Sequence, residues 1–205
     1  MADASPAGPA TGGDGAPAET VLQRLRRSTH AAHERLEARL DVVARLCDPA
    51  GRRWLMGRFW GLHAGAERAL APVLGEMDGL DYAGRRKSAI LARDLADLGV
   101  EPEGVGVQLP PMSRGEALGV LYVLEGSTLG GRVIAREMMA AGQPTTGLSF
   151  FDAYGAATGA RWRAFTAVLE AEIERGRPGL QDDVVRGAIT GFGVVEAWLC
   201  GETPA

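Results

Sequence analysis

The 205 residues are 46% apolar and 23% charged, the balance of a soluble globular domain large enough for one hydrophobic core. A formal net charge of −4 leaves no basic excess to neutralise phosphates and excludes a general nucleic-acid binder. The two cysteines, Cys47 and Cys200, are too few and too far apart for a disulfide framework or a metal knuckle. They read as small buried hydrophobes in a reducing, cytoplasmic protein.

Residues 1–19 are mostly Ala, Pro, Gly, Asp and Thr, the composition of a disordered tail. The folded domain is expected over 20–205. From Thr20, a plausible N-cap, Val21, Leu22, Leu25, Ala32, Leu36, Leu40 and Val43 recur at helical spacing, predicting a helix to about Leu46. Asp48-Pro49 opens a second helix, whose inner stripe holds Trp54, Leu55, Phe59, Leu62, Ala66 and Leu70; Pro72 should end or kink it. Arg85 to Leu98 reads as a third helix closed by Gly99. The prolines and glycines of Glu101 to Met112 make a loop.

Ser113-Arg114-Gly115-Glu116 is a capping box. It starts a long apolar helix that runs to about Ala141 through three interior glycines, Gly119, Gly126 and Gly130. This stretch is not a membrane span, because Glu125 and Arg132 interrupt it. Thr145 to Tyr154 is a loop or short turn carrying Phe150 and Phe151; helices follow over about Thr158 to Glu174 and Asp182 to Leu199. No segment alternates with period two, so the class is all-α, a bundle of six or more helices.

Each interior glycine costs about 0.8–1.0 kcal/mol relative to Ala. Their spacing leaves one helix side bare at three levels, and Gly131 beside Gly130 invites a kink. The first helix supplies a chemical counterpart. His33 lies roughly 50° from the centre of its buried stripe and His30 roughly 110° away, towards solvent. Glu37, one turn on, can orient the His33 ring. Arg26 sits on the same edge, roughly 10 Å along the helix, where it can hold an anionic group. His63, on the second helix, reads as structural. One histidine opposite one bare helix suits a flat macrocycle with an axial imidazole.

Leu25-Arg26-x-x-Thr29-x-x-x-His33-x-x-Leu36-Glu37 resembles the proximal helix of haem oxygenases. Leu121-Tyr122-Val123-Leu124-Glu125-Gly126-Ser127-Thr128-Leu129-Gly130-Gly131 is similar to their distal helix, most of all in the bacterial branch that makes biliverdin for bacteriophytochromes. Arg161-Trp162-Arg163-x-Phe165 and Phe192-x-x-x-Glu196-x-Trp198-Leu199 add to a resemblance that spans Thr20 to Leu199.

The resemblance implies a single-domain helical bundle with haem between the first helix and the glycine-rich one. His33 would be the iron ligand and Glu37 its partner. Gly126, Gly130 and Gly131 would lie on the distal face, and Ser127 would hold a water there. Arg26 and Arg163 would meet haem propionates, and Thr29 belongs to the same binding helix. The implied reaction turns haem, as substrate and cofactor, with O₂ and electrons into biliverdin, CO and ferrous iron. The implied partners are a ferredoxin or flavoprotein reductase and a bacteriophytochrome that accepts the product. Ser127 departs from the animal-type pattern, which has an aspartate there, so proton delivery stays open. A non-catalytic haem carrier on the same fold and a thiaminase-like enzyme are the competing readings.

Overall fold

A computed structural model describes residues 19–201; the predicted tail over 1–18 and residues 202–205 lie outside it. Helix α1 (Val21–Leu40) begins in a capping box: the Gln23 amide donates to the Thr20 hydroxyl (3.2 Å) and the Thr20 amide to the Gln23 side chain (2.9 Å). Glu19, placed in the tail by composition, pairs with Arg27 at 2.8 Å. The helix does not reach Leu46. It stops at Asp41, whose φ of +40° lies in the left-handed region. Asp is one of the few side chains that tolerate this conformation. Its carboxylate then accepts from Ala44 N (3.3 Å) and caps a new short helix, α2 (Val42–Cys47).

Asp48 caps α3 (Pro49–Leu74) through Gly51 N (2.6 Å), with Pro49 at the first turn. Pro72 falls inside the last turn, and the helix ends two residues after it. A 3₁₀ turn (Ala83–Arg85) precedes α4 (Ser88–Asp97). This helix starts three residues later than predicted, because the buried carboxylate of Glu67 on α3 accepts Lys87 N (2.5 Å) and Ser88 N (2.8 Å). Gly99 follows its end with φ +69°. Helix α5 (Arg114–Ala140) is continuous through all its glycines and starts in the predicted Ser113/Glu116 box. Short 3₁₀ turns (Ser149–Asp152, Gly155–Ala157) lead to α6 (Thr158–Arg175) and α7 (Leu180–Cys200). The described residues form no strand.

The core lies where α5 crosses α7 and α1 lies beside α7. Leu25, Leu55, Met56, Leu118 and Phe165 are fully enclosed, each contributing about 1.5–3 kcal/mol by leaving water. The α5–α7 crossing is a seam of small residues. A Cβ on Gly119 would strike the Val184 carbonyl, and one on Gly187 the Glu116 carbonyl. The cysteines do not follow the sequence expectation: Cys47 is exposed and Cys200 half-buried, and both are free thiols. Each sits at or beside a helix end, where packing is incomplete.

The seam sorts the glycines by role. Gly119→Ala should lower stability by about 3 kcal/mol, the upper end for overpacking, because backbone cannot step aside. Gly130→Ala meets nothing within 4 Å and should raise stability by up to about 1 kcal/mol through helix propensity. Denaturant midpoints of the two variants check this pair.

Candidate active site

A cavity of about 530 Å³ opens between α1 and α5. Its base is α7, with Phe192, Val195 and Leu199, and α3, with Phe59, Leu62 and His63. The 3₁₀ turn over 149–152 adds Phe150 and Phe151, and α6 adds Trp162. That turn is held in place by buried Asp94 of α4, whose carboxylate accepts the amides of Ser149 (3.0 Å) and Phe150 (2.8 Å) and the Ser149 hydroxyl. A loop thereby presents aromatic walls from fixed backbone. Volume and lining match an apolar small-molecule site with a few polar groups.

His33 and His30 stand at the cavity's α1 edge, 55% and 72% exposed. His33 Nδ1 lies 3.4 Å from Glu37 Oε2, and the ring meets Phe192 edge-on, with centroids 5.8 Å apart. That contact orients the ring and leaves Nε2 for a ligand. His30 also lines the cavity, although its helical angle pointed to solvent; its Nε2 faces Glu34 at 3.3 Å. Arg26 lines the mouth and has no acid within salt-bridge distance among the described residues. Opposite, a Cβ on Gly126 would rest in ordinary contact with the Trp162 ring (3.8 Å), and one on Gly130 would meet nothing within 4 Å. The cavity is thus a slot with an imidazole at one edge and bare backbone across from it.

No protein-family model matches the chain. A curated haem oxygenase from Xanthomonas campestris pv. campestris (strain 8004) is 35% identical over 150 residues, covering 72% of this chain and 88% of that protein. The chain belongs to the haem oxygenase family. Its fold agrees with haem oxygenase structures of lower identity. The NO- and CO-bound enzyme from Neisseria meningitidis superposes with a TM-score of 0.72 at 22% identity, over 89% of this chain and 91% of that one. Haem oxygenase 2 from Chlamydomonas reinhardtii, solved without haem, gives 0.70 at 17% identity, over 90% and 99%.

In this haem oxygenase the cavity brings together Arg26, Thr29, His33, Glu37, Gly126, Ser127, Gly130 and Gly131. Their roles within that wall differ. Thr29 is buried and donates its hydroxyl to Leu25 O (2.8 Å). The Ser127 and Thr128 hydroxyls donate to the helix carbonyls of Leu124 (2.8 Å) and Glu125 (2.6 Å), which leaves their oxygens as acceptors. Gly131 is a packing glycine, since its Cβ would lie 2.8 Å from the Phe151 carbonyl. Gly119 shares the helix face of Gly126 and Gly130 but meets α7, because the cavity begins only at Tyr122, one turn further along α5. Arg163 is exposed on α6 outside the cavity wall; its neighbour Trp162 points in.

His63, read from the sequence as structural, also lies at the cavity. It is 4% exposed, lines the cavity, and packs edge-on to Phe150 at 5.1 Å. The signal was present: like His30 and His33, it has a Glu four residues on, Glu67. Burial holds the His63 ring neutral, with its pKa pushed down from 6.5 to about 4. The unfolded chain takes up a proton as pH falls through 6.5, and the folded one only near 4. Stability from this residue is therefore complete above pH 6.5 and declines between 6.5 and 4. The urea midpoint should fall from pH 7 to pH 5, and His63→Phe should flatten that slope.

Proposed function

We propose that the cavity binds haem and that the protein cleaves it oxidatively to biliverdin, CO and ferrous iron. The observation that supports this most is the slot itself: His33, set by Glu37, faces across about 530 Å³ to the bare backbone of Gly126 and Gly130. These residues fit the group. His33 would hold the iron through its free ring nitrogen, the glycines would admit a flat ring close to the main chain, and Arg26 would pair with a carboxylate of the ring's edge. When bound, haem would supply the redox iron, and its own ring would be what is opened.

The chain's own contribution is binding, orientation and exclusion of water. Phe150, Phe151, Phe192 and Trp162 make a dry wall. Gly126 and Gly130 leave the far face open to O₂. The oxygens of Ser127 and Thr128 can accept from a water there, while their own hydrogens stay on the helix. Electrons come from a separate ferredoxin or flavoprotein reductase in the cytoplasm, and a bacteriophytochrome takes the biliverdin.

The test is a reductive cycle in air, with haem, reductant and the protein followed by absorption. Decay of the haem band with growth of a bile-pigment spectrum is the expected result. A haem band that persists under excess reductant would make the protein a carrier instead.

A further inference from the structure

Where the end of α7 meets α2 and α3, arginine and tryptophan side chains stack in alternation. The Arg45 guanidinium lies 4.9 Å from the centroid of Trp54, and Arg58 lies 6.0 Å from the same ring and 4.0 Å from Trp198. Both arginines also cap helix ends. Arg45 Nε donates to the carbonyl of Leu40, the last residue of α1 (2.8 Å). Arg58 Nε donates to Trp198 O (2.9 Å), and the Trp198 indole donates in return to Arg58 O (2.8 Å). Stacking and capping therefore hold two guanidinium groups in fixed planes. Neither has a carboxylate within salt-bridge distance among the described residues.

The positive charge continues to either side. Arg35 and Arg39 of α1 share a single acid, Glu196 of α7, and exposed Arg53 precedes Trp54. Asp41 and Asp48 turn their carboxylates to the helix caps at Ala44 N and Gly51 N. A chain of net charge −4 thus carries a basic band with two half-buried indoles in it. Charge of one sign gathered on one face steers a partner of the other sign. Arg and Trp are also the usual anchors of protein interfaces, and planes already fixed have little freedom left to lose on binding.

The band is the outside of the cavity wall. Phe59 and Leu199 line the cavity, and the residue before each, Arg58 and Trp198, belongs to the band. It sits at the far end of α1 from Arg26, since Arg39 is about 20 Å from Arg26 by helical rise. A partner seated there leaves the Arg26 end of the mouth uncovered.

We propose that this band is the docking surface of an acidic one-electron donor, an iron–sulfur protein of the ferredoxin class, and that electrons reach the cavity through the wall behind it. The donor's role rests on the haem-cleavage reading; the docking surface does not. In each encounter the donor's cluster is oxidised by one electron and the iron of the ring in the cavity is reduced by one. The chain itself gains and loses nothing. Arg45 spends only Nε on its helix end, so the far edge of its guanidinium can take a donor carboxylate in a two-bonded pair.

The first measurement titrates the haem-free full chain, labelled with ¹⁵N at tryptophan, with a plant-type [2Fe–2S] ferredoxin at low salt. The four indole N–H signals are the markers. Those of Trp54 and Trp198 are expected to shift and broaden, and that of Trp162, in the cavity, to stay. No saturable change, or a change at Trp162 with Trp54 and Trp198 unmoved, overturns the proposal. So does the same pair of shifts on concentrating the protein alone, which marks a contact between two copies of this chain. Arg45→Glu and Arg53→Glu should each weaken ferredoxin binding about tenfold, the lower end of what charge steering supplies, and high salt should erase the difference. Arg53→Glu spares the helix cap that Arg45→Glu removes, so it decides alone if the latter does not fold. Arg136→Glu reverses an exposed charge on α5 and should leave binding unchanged; equal weakening there would reduce the effect to net charge and overturn the band.

The second measurement follows the haem band of the loaded protein, with electrons from reduced ferredoxin or from ascorbate. Arg53→Glu should slow the ferredoxin-driven decay about tenfold and leave the ascorbate-driven decay unchanged. Equal ferredoxin-driven rates overturn the donor's role at this surface. A haem band that persists under ascorbate in the wild type sinks the haem-cleavage reading instead, and the titration still decides the docking surface.

Discussion

His33→Ala is expected to remove axial ligation of haem, seen as loss of the imidazole-ligated absorption spectrum, while His30→Ala keeps it. Both rings line the cavity, and both have a glutamate one turn on. They differ in what lies behind them: His33 sits edge-on to Phe192 in the base of the slot, whereas His30 is 72% exposed. Added imidazole should partly restore the His33 variant, because the space left is the shape of the missing ring. Glu37→Ala should weaken iron binding by about 10–100-fold, the usual effect of removing the partner that orients a ligand histidine. A normal spectrum for His33→Ala with a changed one for His30→Ala would reverse the assignment.

Glu125→Ala is expected to cost about 3–5 kcal/mol, enough to remove a large part of a domain's stability. Glu125 stands on α5 one residue before Gly126 and is 2% exposed. It pairs with buried Arg85, accepts from the Tyr154 hydroxyl (2.7 Å) and lies near Lys87. Removing it leaves two buried cations with no carboxylate. Glu125→Gln keeps the shape and two hydrogen-bonding atoms but not the charge, and should fall between. Denaturant titration with circular dichroism orders the three proteins.

Much of the fold was legible because helices repeat locally. The stripe of Leu25, Thr29, Ala32 and Leu36, and the Ser113/Glu116 box, each lie within a few turns of what they specify. The break at Asp41 was passed over although aspartate favours caps and turns over helix interiors, because Leu40 and Val43 carry the apolar spacing straight across it. The start of α4 was set from outside by Glu67, twenty residues earlier. In the site, the spacing of His33 and Glu37 on one helix announced their contact. His63 was read as structural, because the same glutamate spacing that marked His33 stood on a helix buried on several sides, and spacing alone does not say which of its faces meets the cavity. The aromatic wall depends on Asp94 reaching across to Ser149 and Phe150, a link that local spacing cannot show.

Helix α5 is a beam held at two points. Around Gly119 its backbone is wedged against α7 with no room for a methyl group, and at Gly131 it rests on the Phe151 carbonyl, beside Arg132 tied to Asp152 at 3.0 Å. Between those supports the stretch from Tyr122 to Gly130 roofs the cavity. Loading the slot should therefore stiffen residues 122–130 against hydrogen exchange and leave 114–119 unchanged.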